Sequence, residues 1–255
     1  LTKAPPLGRD NPNQWRVRPY RELDATNDKE MDDGTTLMHF TEDPPEDFWP
    51  IYKGSSFDIW TPDTGDRYAW ADPDVMIDYV RESRKSAYRY ARSRSAFGEM
   101  DEDWVHDKDT LPCFYPRVAF RDVSRANDSR TVRAALVPQD VFLTNKAPYF
   151  LWPRGDKRDE AYLLGVLSSI PLDWYARRFV ETNLNYHILN AFPIPRPGKD
   201  NQLRQRVVEL SGRLAAVDNR YADWADEVSV DYGPLDEDKK QEKIYELDAV
   251  VAHLY

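Results

Sequence analysis

The chain has 255 residues, of which 41% are hydrophobic and 13% aromatic, a composition typical of a folded protein. Its apolar runs are only a few residues long, so we expect neither a membrane-spanning helix nor a secretory leader. A single cysteine, Cys113, excludes an internal disulfide bond, and the four scattered histidines form no metal-ligand pair. We therefore expect a metal-free protein of the reducing cytoplasm.

The net charge of −10 is distributed unevenly along the chain. Residues 1–83 have a net charge of −9 and residues 199–255 one of −5, whereas residues 84–146 and 147–198 have net charges of +3 and +1. A local positive patch decides contact with phosphate more than the total charge does. The acidic total therefore does not exclude a nucleic-acid partner, although a basic run can equally be a solvated helix face.

Residues 1–34 are rich in Pro, Asn and Asp, and the sequence begins without Met. We expect this segment to be a linker from a preceding domain, with one short helix over residues 15–23.

Residues 35–198 alternate between strand and helix patterns, which predicts an α+β domain with a mixed, curved β-sheet flanked by helices. Asp72-Pro73 is a typical helix start, an N-cap followed by Pro at the first helical position, and predicts a helix that extends toward residue 95. Strands are predicted at 35–40, 57–60, 113–120, 141–144 and 149–152. Two further helices are predicted at 159–167 and 172–180.

A Pro-rich stretch over residues 192–198 marks the end of this domain, because it suits neither a helix nor a central strand. Beyond it, apolar residues at alternating spacings of four and three predict one long helix, and a Gly233-Pro234 turn separates it from a second apolar stripe. Residues 199–255 are therefore predicted to form an antiparallel helical hairpin. The first stripe is formed by Leu203, Val207, Leu210, Leu214, Val217, Tyr221 and Trp224.

The segment 115–133 holds the main candidate for chemistry, since it contains five arginines together with Ser, Asn and Thr. A guanidinium group fits phosphate and the guanine edge, and an Asn side chain can bind adenine. The alternative is an internal ion-pair network of Arg121, Asp122 and Arg125, and the residues alone leave both possibilities open.

A second polar group, residues 181–187, follows an apolar helix and contains Asn183 and Asn185. These side chains suit hydrogen bonds to DNA, and they suit a helix C-cap and turn equally well. The chain contains no glycine-rich nucleotide motif and no common hydrolase or metalloprotease motif. A stand-alone enzyme is therefore the third hypothesis, after DNA recognition and protein interaction.

The order of three segments resembles the target-recognition region of large adenine DNA methyltransferases, the type IIG and IIL restriction–modification proteins and the related methylases of BREX and DISARM phage defence. The first runs from Arg117 to Thr131, the second is Leu184-Asn185-Tyr186-His187 followed by Phe192-Pro193-Ile194-Pro195, and the third is the closing helix 244–255. The resemblance covers roughly residues 35–255.

This resemblance implies a module for sequence-specific recognition of double-stranded DNA. The family's glycine-rich cofactor motif and Asn-Pro-Pro-Tyr motif are absent from the chain. The resemblance therefore implies that S-adenosylmethionine binding and methyl transfer belong to an N-terminal methyltransferase domain of the parent protein, and that this fragment has neither cofactor nor catalysis of its own. The alternative function is a protein-interaction module that acts through the C-terminal heptad helices.

Two sets of residues are expected to contact DNA. Those expected to bind base edges are Arg121, Arg125, Asn127, Arg130, Arg133, Asn145, Asn183 and Asn185, and those expected to hold the backbone are Arg84, Arg89, Arg92, Arg117, Lys146 and Arg154.

Overall fold

The computed structural model of the chain describes residues 3–91, 95–124 and 128–255. Within these ranges it contains two β-sheets and eight α-helices, which confirms the predicted α+β class. The strands are β1 (Arg16–Tyr20), β2 (Trp49–Tyr52), β3 (Ala69–Ala71), β4 (Arg117–Phe120), β5 (Ala134–Val137), β6 (Phe142–Leu143) and β7 (Tyr149–Arg154). The helices are α1 (Pro73–Ala91), α2 (Glu102–His106), α3 (Lys157–Leu167), α4 (Ile170–Ala176), α5 (Tyr186–Asn190), α6 (Gln202–Ala215), α7 (Ala222–Val228) and α8 (Glu237–Leu254).

The strands divide between two sheets. One has four antiparallel strands in the order β1-β7-β4-β5, and the other has three strands in the order β3-β2-β6, with β2 and β6 parallel. All four residues of β4 and of its neighbour β5 at the sheet edge are buried, because one core cluster packs against each face of these strands. Segments 35–40 and 57–60, which the sequence predicts as strands, form only isolated bridges, at Thr36, His39 and Asp58.

Residues 3–34 contribute β1 and several buried side chains to the fold, whereas the sequence predicted a linker. β1 is the edge strand of the four-stranded sheet and pairs with β7, so the predicted helix over residues 15–23 is wrong. Val17 points into the core while its neighbours are partly exposed, which is the alternation of a half-buried strand. Pro19 is tolerated because an edge strand leaves one row of N–H groups unpaired. Leu7 and Trp15 are buried in the same core.

α3 is the central helix of the main core, and nine of its residues are buried. It packs closely against α6 at Gly165, where an added Cβ would lie 2.8 Å from Val207 Cγ1 and 3.0 Å from Ser211 Cβ. The absence of a side chain at Gly165 therefore allows the two helices to approach. The predicted start of α1 is also confirmed, since Asp72 accepts a hydrogen bond from the Asp74 backbone N–H at 3.0 Å.

The C-terminal region contains an antiparallel pair of helices, α6 and α8, as predicted. Arg206 pairs with Glu246 near the start of α6, and Arg213 donates to the Gly233 carbonyl near its end. The predicted long first helix, however, is interrupted. α6 ends at Ala215, and Asp218 accepts from the Arg220 backbone N–H at 2.9 Å, a cap that restarts the chain as a 3-10 turn before α7.

The apolar stripes of this hairpin are buried against the body of the protein. Leu210, Leu214, Leu247 and Val251 belong to the main core cluster together with residues of α3. The stripe that suggested protein interaction is therefore already covered within the chain. Among the helices of the described residues, none combines the length and apolar character needed to cross a bilayer.

Candidate nucleic-acid interface

A buried carboxylate, Asp122, collects three side chains from distant parts of the sequence. Arg21 Nη2 lies 3.0 Å from Asp122 Oδ1, Lys146 Nζ lies 3.5 Å from Oδ2, and Asn183 Nδ2 donates to Oδ2 at 3.1 Å. We call these four residues the Asp122 cluster. The side chain of Asp122 is only 3% exposed, whereas those of Arg21 and Lys146 are 44% and 50% exposed. The carboxylate thus lies beneath two cationic groups that face solvent.

Backbone pairing explains why these residues meet. Asp122 follows the end of β4, and its N–H donates to the Lys146 carbonyl at 3.2 Å, while its own carbonyl accepts from the Leu184 N–H at 2.7 Å. Leu23 forms an isolated parallel bridge with Thr144, which places the chain beyond β1 beside the loop that carries Lys146. Four segments are therefore fixed around one carboxylate by main-chain hydrogen bonds.

The cluster has a net charge of +1, since one carboxylate faces one guanidinium and one ammonium group. A guanidinium carries five N–H donors and an ammonium group three, so a single carboxylate leaves donors available on both. The Arg21 guanidinium also lies over the Tyr186 ring, 5.0 Å from its centroid. Burial raises the pKa of the Tyr186 hydroxyl, and the Arg21 charge acts in the opposite direction. Tyr186 thus stays neutral and supports Arg21 through its ring.

Asn145 lies next to the cluster but is held by a different carboxylate. Its Nδ2 donates to Asp24 Oδ2 at 3.2 Å. The backbone N–H groups of Thr26 and Asn27 donate to the other oxygen of Asp24, and these bonds hold the pKa of that carboxyl below its usual value. Asn145 is therefore positioned by an ionised partner.

Two predicted base-binding arginines, Arg121 and Arg133, share Asp58. Their Nη atoms lie 3.2 Å and 2.6 Å from its Oδ2, and Arg121 also donates to the Phe57 carbonyl. The two side chains are only 18% and 17% exposed, and burial lowers the pKa of Arg121. This is the internal ion-pair alternative of the sequence analysis, although the acidic partner is Asp58 and not Asp122.

Arg130 is held in a similar way beside Asp173. Its guanidinium donates to the Ser168 carbonyl and lies 3.7 Å from the Asp173 carboxylate. The same carboxylate accepts from the backbone N–H groups of Thr131 and Val132 at 2.7 and 2.8 Å. Asp173 thus anchors this segment to α4. Base contact by Arg121, Arg130 or Arg133 would require these side chains to leave protein acceptors, and their DNA role stays a prediction.

Arg84 is buried, so the expectation that it faces DNA is wrong. It is 1% exposed, its guanidinium donates to Thr110 Oγ1 at 3.0 Å and to the Asp107 carbonyl, and it lies 4.9 Å from the centroid of the Trp104 ring. Burial lowers the pKa of Arg84. This side chain fastens α1 to the 104–110 segment, and a phosphate cannot reach it without disruption of that packing.

Arg117 is the second correction. Its side chain is 4% exposed and donates to the Val141 carbonyl at 2.8 Å, and its Nη2 lies 3.5 Å from Glu22 Oε2. Glu22 also accepts from the Tyr149 hydroxyl at 3.3 Å and from the Leu143 N–H at 2.8 Å. We call Glu22, Arg117 and Tyr149 the Glu22 network. It is an internal polar group of the core, out of reach of DNA.

The remaining predicted residues are dispersed. Arg154 lies at the far end of β7, where it pairs with Asp10 at 2.6 Å, and Arg89 is exposed on α1. Asn185 is exposed and is the N-cap residue of α5, without a side-chain capping bond, so the predicted C-cap alternative does not describe it. Three further predicted residues lie outside the described part of the chain: Arg92, Arg125 and Asn127.

Sequence analysis missed Arg21, because the segment that carries it was interpreted as a linker. It also treated Lys146 as a backbone contact and Asn183 as a base contact, with no indication that the two meet. The proximity of Asp122 to Leu184 had one sequence indication, since the two residues lie in the first and second segments of the same family resemblance.

No protein-family model matches the chain, and no curated protein sequence matches it. Among solved structures, it is similar to the Type IIL restriction-modification enzyme MmeI, which was solved in complex with DNA. The alignment has a TM-score of 0.45 at 12% sequence identity, and it covers 98% of this chain and 33% of that one. The chain thus spans about a third of the length of that structure.

Proposed function

We propose that the chain is a recognition module for double-stranded DNA, and that the Asp122 cluster is its principal contact with the duplex. The observation that carries the proposal is the convergence of Arg21, Lys146 and Asn183 on the buried Asp122 carboxylate, which places two half-exposed cations side by side at the surface. Asp122 lies in the first segment on which the chain resembles target-recognition regions, and Tyr186, whose ring contacts Arg21, lies in the second. Phosphate oxygens are acceptors, so a surface of cationic donors is chemically matched to the DNA backbone.

The ion pairs of the Asp122 cluster leave Arg21 and Lys146 able to bind a phosphate in place of part of their contact with Asp122. Water solvates the half-exposed cations, and the buried Asp122 carboxylate has three partners, so it keeps a second cation and the Asn183 amide when one cation turns away. Arg21 and Lys146 can therefore exchange part of their interaction with Asp122 for a phosphate at small cost. Asp122 in turn keeps both cations near one place before DNA arrives, which reduces the side-chain entropy lost on binding.

In this proposal the module recognises DNA and does not modify it. Binding of S-adenosylmethionine and transfer of the methyl group to adenine are assigned to another domain of a larger restriction–modification or phage-defence protein. The sequence of the chain supports this division, because it contains neither a glycine-rich cofactor motif nor Asn-Pro-Pro-Tyr.

The test is direct binding of the whole chain to a fluorescent random-sequence duplex, measured by anisotropy between 50 and 200 mM salt, about the range over which phosphate contacts weaken strongly. We expect saturable binding at low salt that weakens steeply as salt rises. Absence of binding at micromolar protein, or an affinity independent of salt, would overturn the proposal. A single strand of the same length, bound as tightly as the duplex, would also contradict it.

A further inference from the structure

We propose that Asn183 selects a base with an exocyclic amino group, adenine or cytosine, in the major groove, and that Asp122 is the positioning residue that fixes this preference. The inference rests on the proposed function and names the specificity of the same site. It depends on the orientation of one side-chain amide.

The Asn183 amide has a defined orientation. An ionised carboxylate can only accept hydrogen bonds, so the group that faces Asp122 Oδ2 at 3.1 Å must be the Nδ2 donor. The carbonyl oxygen, Oδ1, then points away from that contact, and no group in the described part of the chain donates to it. The amide therefore offers an acceptor to a ligand.

The main chain around Asn183 is fixed as well. Asn183 forms an isolated antiparallel bridge with Val123, the Ser124 N–H donates to the Thr182 carbonyl at 3.2 Å, and the Leu184 N–H donates to the Asp122 carbonyl at 2.7 Å. The backbone on both sides of Asn183 is thus tied to the segment that carries Asp122. A side chain with a fixed backbone and one fixed donor has few ways to turn, which is a requirement for base selection.

The acceptor determines which base fits. In the major groove the only base-edge donors are the N6 amino group of adenine and the N4 amino group of cytosine, whereas guanine and thymine present acceptors at O6 and O4. An amide oxygen therefore accepts from adenine or cytosine and is unpaired or repelled at guanine or thymine. Arg21 and Lys146, bound to the same carboxylate, hold the adjacent backbone.

The experiment selects preferred sites from a randomised duplex pool with the whole chain, for the wild type and for Asn183→Ala, Asp122→Asn and Arg206→Ala. Arg206 is the control because its ion pair with Glu246 joins α6 to α8, outside the cluster. We expect the wild type to enrich adenine or cytosine at one position, with a preference of about tenfold. Asn183→Ala should lose that preference at that position alone. Asp122→Asn should weaken it, since an Asn side chain can both donate and accept and no longer fixes the amide.

A second arm requires no variant. In the selected duplex, the preferred base is replaced by an analogue without the amino group, purine for adenine or 2-pyrimidinone for cytosine. The wild type should lose about tenfold in affinity, and Asn183→Ala should lose nothing further.

Three results would overturn the inference. The first is that Asn183→Ala keeps the wild-type base preference at every position. The second is that the preference lost in Asn183→Ala is for guanine or thymine. The third is that no analogue without the amino group reduces the affinity of the wild type. If salt-sensitive duplex binding persists in these cases, the inference fails while the proposed function stands. If the wild type binds no duplex at all, the proposed function itself fails.

Discussion

Arg21 and Glu22, which follow β1, each form an ion pair near β4. Arg21 is the cation of a pair just beyond the end of β4, and Glu22 is the carboxylate of a pair at its first residue. Arg21 pairs with Asp122, and Glu22 pairs with Arg117. In the first pair the cation is 44% exposed and the carboxylate 3%, whereas in the second both side chains are at most 4% exposed. The same pair of functional groups thus occurs once at the surface and once in the core.

Arg117 and Arg21 are the same residue type and form the same kind of ion pair, but they have different roles. Arg117 donates to the Pro112 and Val141 carbonyls and faces the buried Glu22 carboxylate, so its contribution is to stability. Arg21 has one ionic partner among the described residues and faces water, so some of its donors are available to a ligand. Exposure on the cationic side distinguishes the two cases. Removal of the arginine from each pair should therefore affect stability in one case and duplex binding in the other.

The largest expected effect is on folding. Arg117→Ala would leave the Glu22 carboxylate buried without its cation, and loss of one partner of a buried ion pair costs about 3–5 kcal/mol. The free energy of unfolding, measured by urea denaturation at neutral pH, should fall by about that amount. A decrease below about 1 kcal/mol would mean that the Glu22 network is not a core element.

The second prediction concerns pH. Burial raises the pKa of Glu22, and Arg117 acts in the opposite direction. A carboxyl whose pKa is raised by folding binds its proton more tightly in the folded state. The stability that the Glu22 carboxyl contributes is therefore fully present below the usual pKa of Glu. It is lost as the pH rises through the pKa of Glu22 in the folded protein.

Subtraction of a Glu22→Gln variant isolates this contribution, since the other carboxyls are common to both proteins. The free energy of unfolding of the wild type minus that of Glu22→Gln should decrease as the pH is raised from about 4, the ordinary range of a Glu carboxyl. A difference that is constant with pH, or that increases, would contradict the assignment.

The third prediction concerns the surface pair. Arg21→Ala should weaken duplex binding by about tenfold. It should cost much less stability than Arg117→Ala, because Lys146 and Asn183 still contact the buried Asp122 carboxylate. Anisotropy titration and thermal unfolding of the same preparation measure the two quantities. A large loss of stability with unchanged affinity would assign Arg21 to the fold, like Arg117.

The smallest effect is expected for the matched control, Arg206→Ala. Arg206 is 36% exposed and forms two hydrogen bonds with Glu246, at 2.6 and 2.7 Å, so it resembles Arg21 in charge and exposure. It lies on the C-terminal hairpin, away from the Asp122 cluster. Its removal should cost at most about 1 kcal/mol of stability and leave duplex affinity unchanged. Weaker DNA binding in this variant would show that general charge, and not the cluster, governs affinity.

Much of the fold could be predicted from local patterns, since the local chemistry at those positions is decisive. Asp72-Pro73 starts α1, and the apolar run 161–167 forms the buried part of α3. β1 was missed because its five residues bury only Val17 and include Pro19. The long helix was predicted because apolar spacing continues past Ala216, while the cap at Asp218 interrupts it.

The site was harder to predict, because its contacts join residues that are far apart in sequence. Asp122 lies 101 residues from Arg21 and 61 from Asn183. Composition identified the arginines, but their partners, Asp58, Asp173 and Glu22, are distributed along the chain and carry no local pattern. Whether a guanidinium group faces solvent or a buried acid depends on those partners.

The most direct test of the central claim is the salt dependence of duplex binding by the double variant Arg21→Ala/Lys146→Ala, compared with the wild type and Arg206→Ala. Each phosphate contact contributes about 0.9 to the slope of log K against log salt. The account predicts that the double variant loses about 1.8 from the magnitude of the wild-type slope and that Arg206→Ala loses nothing. An unchanged slope in the double variant would contradict it.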